Sequence, residues 1–457
     1  MEIKLSDHFT YKRLLRFVLP SIGMMIFTSI YGMVDGFFVS NYVGKTEFAA
    51  VNLIMPFPMM LGAFGFMIGT GGTALVSMTM GQGKKQEANE IFSMLIKVLI
   101  IVGIALSVLG IVFMKEIALF LGATEDLLGH CVTYGSILMA SLTPFMLTNT
   151  FQSFLVTAEK PDLGLKITVA AGVTNIILDF LFIGVFRWGL IGAASATGIS
   201  QLVGGILPLI YFSRENNSQL RLVPAKINWR HLGKTCFNGS SELMTNLSLS
   251  LVNMLFNLQL MKYAGENGVA AYGVIMYVNF IFVGVFIGYA FGSAPIIGYN
   301  YGAGNIKELQ NVYRKSLLFN FISGISMSII AILTSGLLAG IFVGYDVELF
   351  EMTKRGFAIF SLSFVVMGLN IYASSFFTAL GNGLISAILS FLRTFLFQLI
   401  SVLVLPLLLD LDGIWFAIVV AEAMALVLSF VMLKVYKKDM GIKIKVMLRF
   451  YIRFRKK

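Results

Sequence analysis

Runs of about 20 or more predominantly apolar residues, each long enough to cross a bilayer, recur along the whole 457-residue chain. Twelve can be drawn, at 14–40, 48–79, 91–114, 131–157, 162–186, 190–212, 235–262, 269–299, 313–343, 353–379, 384–409 and 412–434. Only 12% of residues are charged, about half the fraction of an ordinary soluble domain. The mean hydropathy is +0.85. These features specify an all-α integral membrane protein with twelve transmembrane helices. Several spans hold a proline (Pro20, Pro56, Pro58, Pro144, Pro208, Pro295, Pro406), which membrane helices tolerate and which often marks a kink.

The segment Met1–Arg16 is charged and runs straight into the first span without a small-residue cleavage site. It reads as the start of a retained helix and not as a signal peptide. Lys and Arg in the loops fix the orientation. With the N-terminus inside, 25 basic residues fall on the inner side and about six on the outer side (Lys45, Lys115, Arg187, Lys262, Lys354, Arg355). Both termini are therefore expected in the cytoplasm. Ten basic residues lie in Lys434–Lys457, just after the last span. The net charge of +11 thus points to anionic lipid head groups and not to nucleic acid. Cys131 and Cys236 fall near opposite membrane faces, so no disulfide is expected. Three histidines and two cysteines without ligand spacing argue against a structural zinc site.

The chain repeats itself at a constant offset of 221 residues. Gly81 and Gly83 match Gly302 and Gly304, and Glu87 matches Glu308. Ala49-Ala50 matches Ala270-Ala271, Asn149 matches Asn370, Thr157-Ala158 matches Thr378-Ala379, and Gly192 matches Gly413. One gapless offset across six spans indicates duplication. An even number of spans per unit makes the two six-helix repeats parallel, related by an axis along the membrane normal. The expected organisation is an N-lobe at 1–212, a cytoplasmic linker at 213–234, a C-lobe at 235–434 and a basic cytoplasmic tail at 435–457.

Charged side chains inside spans are costly and by default face a cavity or a partner. Asp35 lies about 9 Å from the outer end of its span at 1.5 Å per residue, and Asp179 about 12 Å. Thr197 lies about 12 Å in from Gly189. Asn175 is one turn deeper than Asp179 on the same face. Two carboxylates, an amide and a hydroxyl from three helices therefore reach one level. Hard oxygen ligands of this kind suit Na⁺, and a close carboxylate pair equally holds a proton. The plainer alternative, hydrogen bonding between neighbouring helices, is a common use of a membrane threonine. The second half has Phe256, Ile400 and Ile418 at the positions of Asp35, Asp179 and Thr197. It carries instead Arg393 and Glu422, both near the midplane, which read as a structural or gating ion pair or as substrate contacts. Glu242 sits near the inner end of its span, shallow enough to reach water. Lys97 and Lys166 are close enough to the inner face to snorkel. The 41 Phe and 25 Met fill helix contacts or face lipid, and they also suit a promiscuous apolar pocket.

Twelve spans in two parallel halves resemble the multidrug and toxic compound extrusion (MATE) transporters, and within them the bacterial Mep-type branch. Pro20 followed by Asp35, Asn175-x-x-x-Asp179, and Thr197 are similar to the family's N-lobe cation site. The resemblance implies a V-shaped pair of lobes and alternating access. It also implies cation-coupled export of amphipathic, often cationic, compounds across a bacterial cytoplasmic membrane. Asp35, Asn175, Asp179 and Thr197 would bind Na⁺ or H⁺, and no cofactor beyond that coupling ion is expected. Tyr31, Asn149, Gln152, Met276 and Asn279 are expected on the wall of the substrate cavity. The partners implied are small-molecule drugs or organic cations and membrane lipids, met by a monomer. Two departures count against cation coupling in the C-lobe: Ser241 stands at the repeat position of Pro20, and spans 7 and 10 lack deep carboxylates. A lipid-linked precursor flippase is the nearer alternative, but it would need several deep basic residues where only Arg393 is found. An intramembrane enzyme would need a catalytic motif on facing helices, and His8, His130 and His231 all lie outside the deep parts of the spans.

Overall fold

The computed structural model describes residues 3–436. Of the basic tail expected at 435–457, residues 437–457 lie outside the described residues. Among the described residues there are helices and connecting turns and no strand. Helix α1 is Tyr11–Tyr42, capped by the Thr10 hydroxyl, which accepts from the Arg13 amide at 3.3 Å. Helix α2 comprises Lys45–Ile54 and Pro56–Gly81, and α3 is Lys85–Val112. A short helix, Met114–Phe120, leads to α4, whose two segments Glu125–Ala140 and Leu142–Thr157 meet at 50°. Helix α5, Pro161–Asp179, passes into a π-helical turn at Phe180–Val185, and α6 is Gly189–Ser213.

The second half follows the same order. Helices α7 and α8 make up the stretch Trp229–Gly302 and are separated at Gly265, whose φ of 60° favours glycine. Helix α9 is Ile306–Val343. The two segments of α10, Val347–Ser361 and Phe364–Ala379, meet at 50°, as those of its repeat partner α4 do. Helix α11 runs through Gly383–Phe391, a π-helical turn at Leu392–Leu396, and Phe397–Val404. Helix α12 is Pro406–Val435, broken at Asp410 with φ 49°. Twelve spans thus form among the described residues.

One connection differs from the sequence reading. Helix α7 starts at Trp229, six residues before the apolar run at 235, because the Asn228 side chain caps the Arg230 and His231 amides. The break at Asp410 falls in the two-residue gap, 410–411, expected between spans 11 and 12.

Large apolar side chains along the bundle exterior, such as Ile104, Val108, Leu333 and Leu407, are exposed, as a lipid-facing surface requires. Lys97 and Lys166 are exposed as well. The face carrying residues 3–10 and the connection 214–228 is termed the linker face. Here the lobes touch backbone to backbone. Gly71 abuts Gly239 and the Thr235 carbonyl, while Gly239 abuts the Met67 carbonyl. A Cβ on Gly81 would stand 2.0 Å from the Tyr299 carbonyl oxygen, and one on Gly302 would stand 2.1 Å from that of Met78. Gly81 and Gly302 are repeat partners, and so are Met78 and Tyr299, so the seam obeys the 221-residue offset. The larger apolar core spreads across this seam, including Phe92 and Phe154 of one lobe and Tyr289 and Phe376 of the other. A smaller core around Val252, Phe256, Tyr272 and Trp415 stays within the second lobe.

Candidate functional site: a buried acid pair in the first lobe

Helices α1 and α5 approach closely because glycine faces aromatic rings between them. Gly172 sits against Phe27 and Tyr31, and a Cβ there would meet both rings. One turn further along each helix come Asn175 and Asp35. Asn175 is 1% exposed and Asp179 is 0% exposed, while Asp35 is partly buried. The Asp35 carboxyl stands near the Asp179 carboxyl and the Thr197 hydroxyl on α6, close enough for the side chains to act on one another. No aligned hydrogen bond joins them, however. Asp35 Oδ1, both carboxylate oxygens of Asp179, Thr197 Oγ1 and Asn175 Nδ2 are all buried without a partner. Tyr31 and Tyr134 stand within electrostatic reach of Asp35, and Tyr134 of Asp179 as well.

Buried polar groups are almost always hydrogen-bonded, and exceptions call for an explanation. Here the orphaned atoms of Asp35, Asp179 and Thr197 belong to side chains close to one another. At an effective dielectric of about 20, two like charges about 4 Å apart repel by about 4 kcal/mol. Both carboxylates therefore cannot remain charged here without a third party. A proton shared between them would relieve the repulsion, and so would an alkali cation bound by these oxygens. Among the described residues no three His, Cys, Asp or Glu side chains gather as a metal site. The π-helical turn starting at Phe180 follows Asp179 directly, and such turns are frequent at functional sites.

The second lobe has a different centre. Arg393, inside the π-helical turn of α11, donates from Nε to both Glu422 oxygens at 2.9 and 3.0 Å. Arg393 is 14% exposed and Glu422 only 1% by side chain. Asn370 donates to Glu422 Oε2 at 2.7 Å and to its carbonyl at 2.9 Å, while accepting from Ser429 at 3.2 Å. Of the two readings of Arg393 and Glu422, the geometry is that of an ion pair. Glu242, read from sequence as shallow, is half-buried and lies within electrostatic reach of Arg393.

The remaining sequence-chosen residues are spread over three helices. Tyr31 is on α1 beside the acid pair. Asn149 and Gln152 of α4 are buried inside the first lobe, with Gln152 on a cavity of about 10 Å³ shared with Thr168 and Pro208. Met276 and Asn279 lie on α8, where Met276 packs against the second-lobe core and Asn279 Oδ1 is buried without a partner. Asn370, marked in the sequence only through the repeat, is a further member of the second-lobe centre. Its match to Asn149, another buried membrane amide, was the available signal.

The MatE family model matches the chain twice, over residues 20–181 and 243–404, one match in each lobe. Proteins named "Multidrug export protein MepA" are similar along the sequence. The one from Staphylococcus saprophyticus is 24% identical over 89% of this chain and 88% of its own. The one from Staphylococcus aureus (strain MSSA476) is 23% identical over 91% of each. The one from Staphylococcus haemolyticus is 26% identical, and the match spans 64% of either chain, a little under two thirds of that relative. Among solved structures, the outward-facing conformation of a multidrug resistance MATE family transporter of the MOP superfamily superposes with a TM-score of 0.89. It is 20% identical, over 94% of this chain and 96% of the other. A crystal structure of MATE in complex with MaL6 gives the same TM-score, identity and coverage.

Proposed function

The chain belongs to the MatE family, and from that premise we propose that it is a cation-coupled multidrug efflux antiporter working by alternating access. The observation that carries this reading is the acid pair Asp35 and Asp179: both Asp179 oxygens and Asp35 Oδ1 are buried without a partner, as are Asn175 Nδ2 and Thr197 Oγ1. Such a pair holds a guest, Na⁺ or H⁺, and its stability depends on whether the guest is there. The substrates are drugs, in keeping with the names of the relatives, and the class proposed is small amphipathic, often cationic, compounds. The linker face is the cytoplasmic one, since the basic residues of the chain concentrate there. The membrane is the cytoplasmic membrane of a bacterium.

With the pair empty, the repulsion between Asp35 and Asp179 keeps α1, α5 and α6 from closing on each other. A bound Na⁺ or proton removes that repulsion and lets the three helices pack, narrowing the first-lobe side of the drug pathway. Ion and drug then favour different arrangements, which is the thermodynamic requirement for exchange. Complete switching between two arrangements needs roughly a 10⁴-fold preference, about 5.5 kcal/mol. Repulsion between two buried charges is of that order. The flippase alternative loses support because the one deep arginine, Arg393, is already held by Glu422.

The test is drug binding to the purified protein, titrated with Na⁺ at fixed pH and with pH in the absence of Na⁺. Wild-type affinity should fall as one of the two ions is added, and Asp35→Asn should flatten that response while still binding drug. A wild-type affinity indifferent to both ions would sink the coupling assignment.

A further inference from the structure

The segment ahead of α1 is held by both lobes. Leu5 and Phe9 are fully buried. On the first-lobe side, the Leu5 amide donates to Glu159 Oε1 at 2.6 Å, in the turn between α4 and α5. Gln219 of the linker donates to the other oxygen of Glu159 at 3.2 Å. On the second-lobe side, Asn300 of α8 donates to the Leu5 carbonyl at 3.3 Å. Glu308, in the first turn of α9, accepts from the Phe9 amide at 2.9 Å and meets His8 Nδ1 at 2.6 Å. Asn311 donates to the Phe9 carbonyl at 3.0 Å, and Lys315 donates to the same oxygen. Eight residues that lead into a first-lobe helix are thus fastened mainly to the second lobe.

The linker does the converse. It leads into α7 of the second lobe yet lies along α3 of the first. There the Arg221 amide donates to Asn89 Oδ1 at 2.9 Å and the Val223 amide to Ser93 Oγ at 2.8 Å, with Leu220 fully buried. Under the 221-residue offset, α1 corresponds to α7 and α3 to α9. Each lobe's first helix is therefore preceded by an arm that crosses to the third helix of the other lobe. The grip is unequal. Glu308 is buried against its arm, whereas its repeat partner Glu87 is half-exposed and paired with Lys84 at 3.3 Å.

We propose that these two crossed arms are latches that hold the lobes together at the linker face, and that Glu308 is the main catch of the N-terminal one. The assignment rests on the transporter reading in one respect only, that the lobes separate at this face during the cycle. Separation must release the 3–10 arm from Glu159 or from Glu308, because it is bound to both. The arm then sets how often that face opens, without touching the ion site or the drug.

The test is the distance between spin labels on the full chain in lipid nanodiscs, with no drug and a fixed ionic composition. Labels go on Gln86→Cys and Lys307→Cys, exposed repeat-related positions at the starts of α3 and α9, with Cys131 and Cys236 replaced by Ala. The unlatched variant is Glu308→Ala. Loss of a charge-assisted hydrogen bond should raise the ratio of wide to narrow distances about tenfold. Asn311→Ala, which leaves Glu308 in place, should shift the same ratio in the same direction by less, and it serves if Glu308→Ala does not fold. Distributions identical to the unsubstituted background in every variant that folds would overturn the latch. A separate series in the labelled background, with Na⁺ concentration and pH varied and Asp35→Asn compared with the unsubstituted protein, separates the two claims. If the substitution leaves the response to Na⁺ and pH intact, the coupling assignment fails while the latch result stands.

Discussion

In the first lobe Asp35 and Asp179 face each other with no ion pair among the described residues. In the second lobe Glu422 is bound by Arg393 and Asn370. Both centres sit inside six-helix repeats of the same plan, both are deep, and both adjoin a π-helical turn. They differ in where the compensating charge comes from. The second lobe carries its cation covalently, as a guanidinium that cannot leave. On the proposed reading, the first lobe obtains one from solution. A permanent partner makes a centre that is always neutralised and so cannot report on an ion gradient. A missing partner makes a centre whose packing follows the gradient. On that reading the duplicated scaffold uses one half for coupling and the other for rigidity.

The largest expected effect breaks the comparison directly. In everted vesicles with an imposed Na⁺ or proton gradient, Asp35→Asn and Asp179→Asn should each reduce drug uptake to the rate seen without a gradient. Glu422→Gln should slow uptake but keep its dependence on the ion. If instead the Glu422 variant lost ion dependence and the Asp35 variant kept it, the roles of the lobes would be reversed.

A second, smaller effect concerns stability. Arg393→Met leaves Glu422 buried with no opposite charge, which costs about 3–5 kcal/mol. Glu422→Gln should cost less, because the partly exposed Arg393 still has Glu242 within electrostatic reach. The double variant should recover much of the loss. Thermal unfolding of the four proteins in detergent measures the cycle, and strictly additive losses would show that the pair is not an interacting unit.

Much of this contrast was legible in the sequence because depth in a membrane helix is simple arithmetic. A rise of 1.5 Å per residue put Asp35, Asp179 and Thr197 at one level, and it put Arg393 and Glu422 at another. The 221-residue offset supplied the lobes, and the reciprocal contacts of Gly81 and Gly302 bear it out. Other features had no periodic signature. The π-helical turns depend on one extra residue in a helix whose composition stays apolar throughout. The arm at residues 3–10 is short and polar, and its partners Glu159, Asn300 and Glu308 lie far along the chain, so only the closed seam brings them together. The distance of Glu242 from the end of an apolar run makes it look shallow, but the helix starts at Trp229 and Glu242 is half-buried within electrostatic reach of Arg393.

The smallest expected effect sharpens the comparison by removing one oxygen and no charge. Thr197 Oγ1 is buried, near Asp35, and makes no hydrogen bond within the protein. Valine has nearly the same shape, so Thr197→Val forfeits no internal contact of the fold and should leave the unfolding temperature close to that of the wild type. Its effect falls on the guest alone. If the guest is Na⁺, the lost ligand should raise the Na⁺ concentration for half-maximal weakening of drug binding by about tenfold, the scale of one bond to a charged group. A proton held between two carboxylates needs no third ligand. With a proton as guest, the same substitution should move the midpoint of the pH response by less than about one unit. Measuring both midpoints on one preparation therefore separates the two ions. If Thr197→Val matched Asp35→Asn and abolished the response entirely, the hydroxyl would have to hold the helices themselves, and the guest would not be what joins α1, α5 and α6.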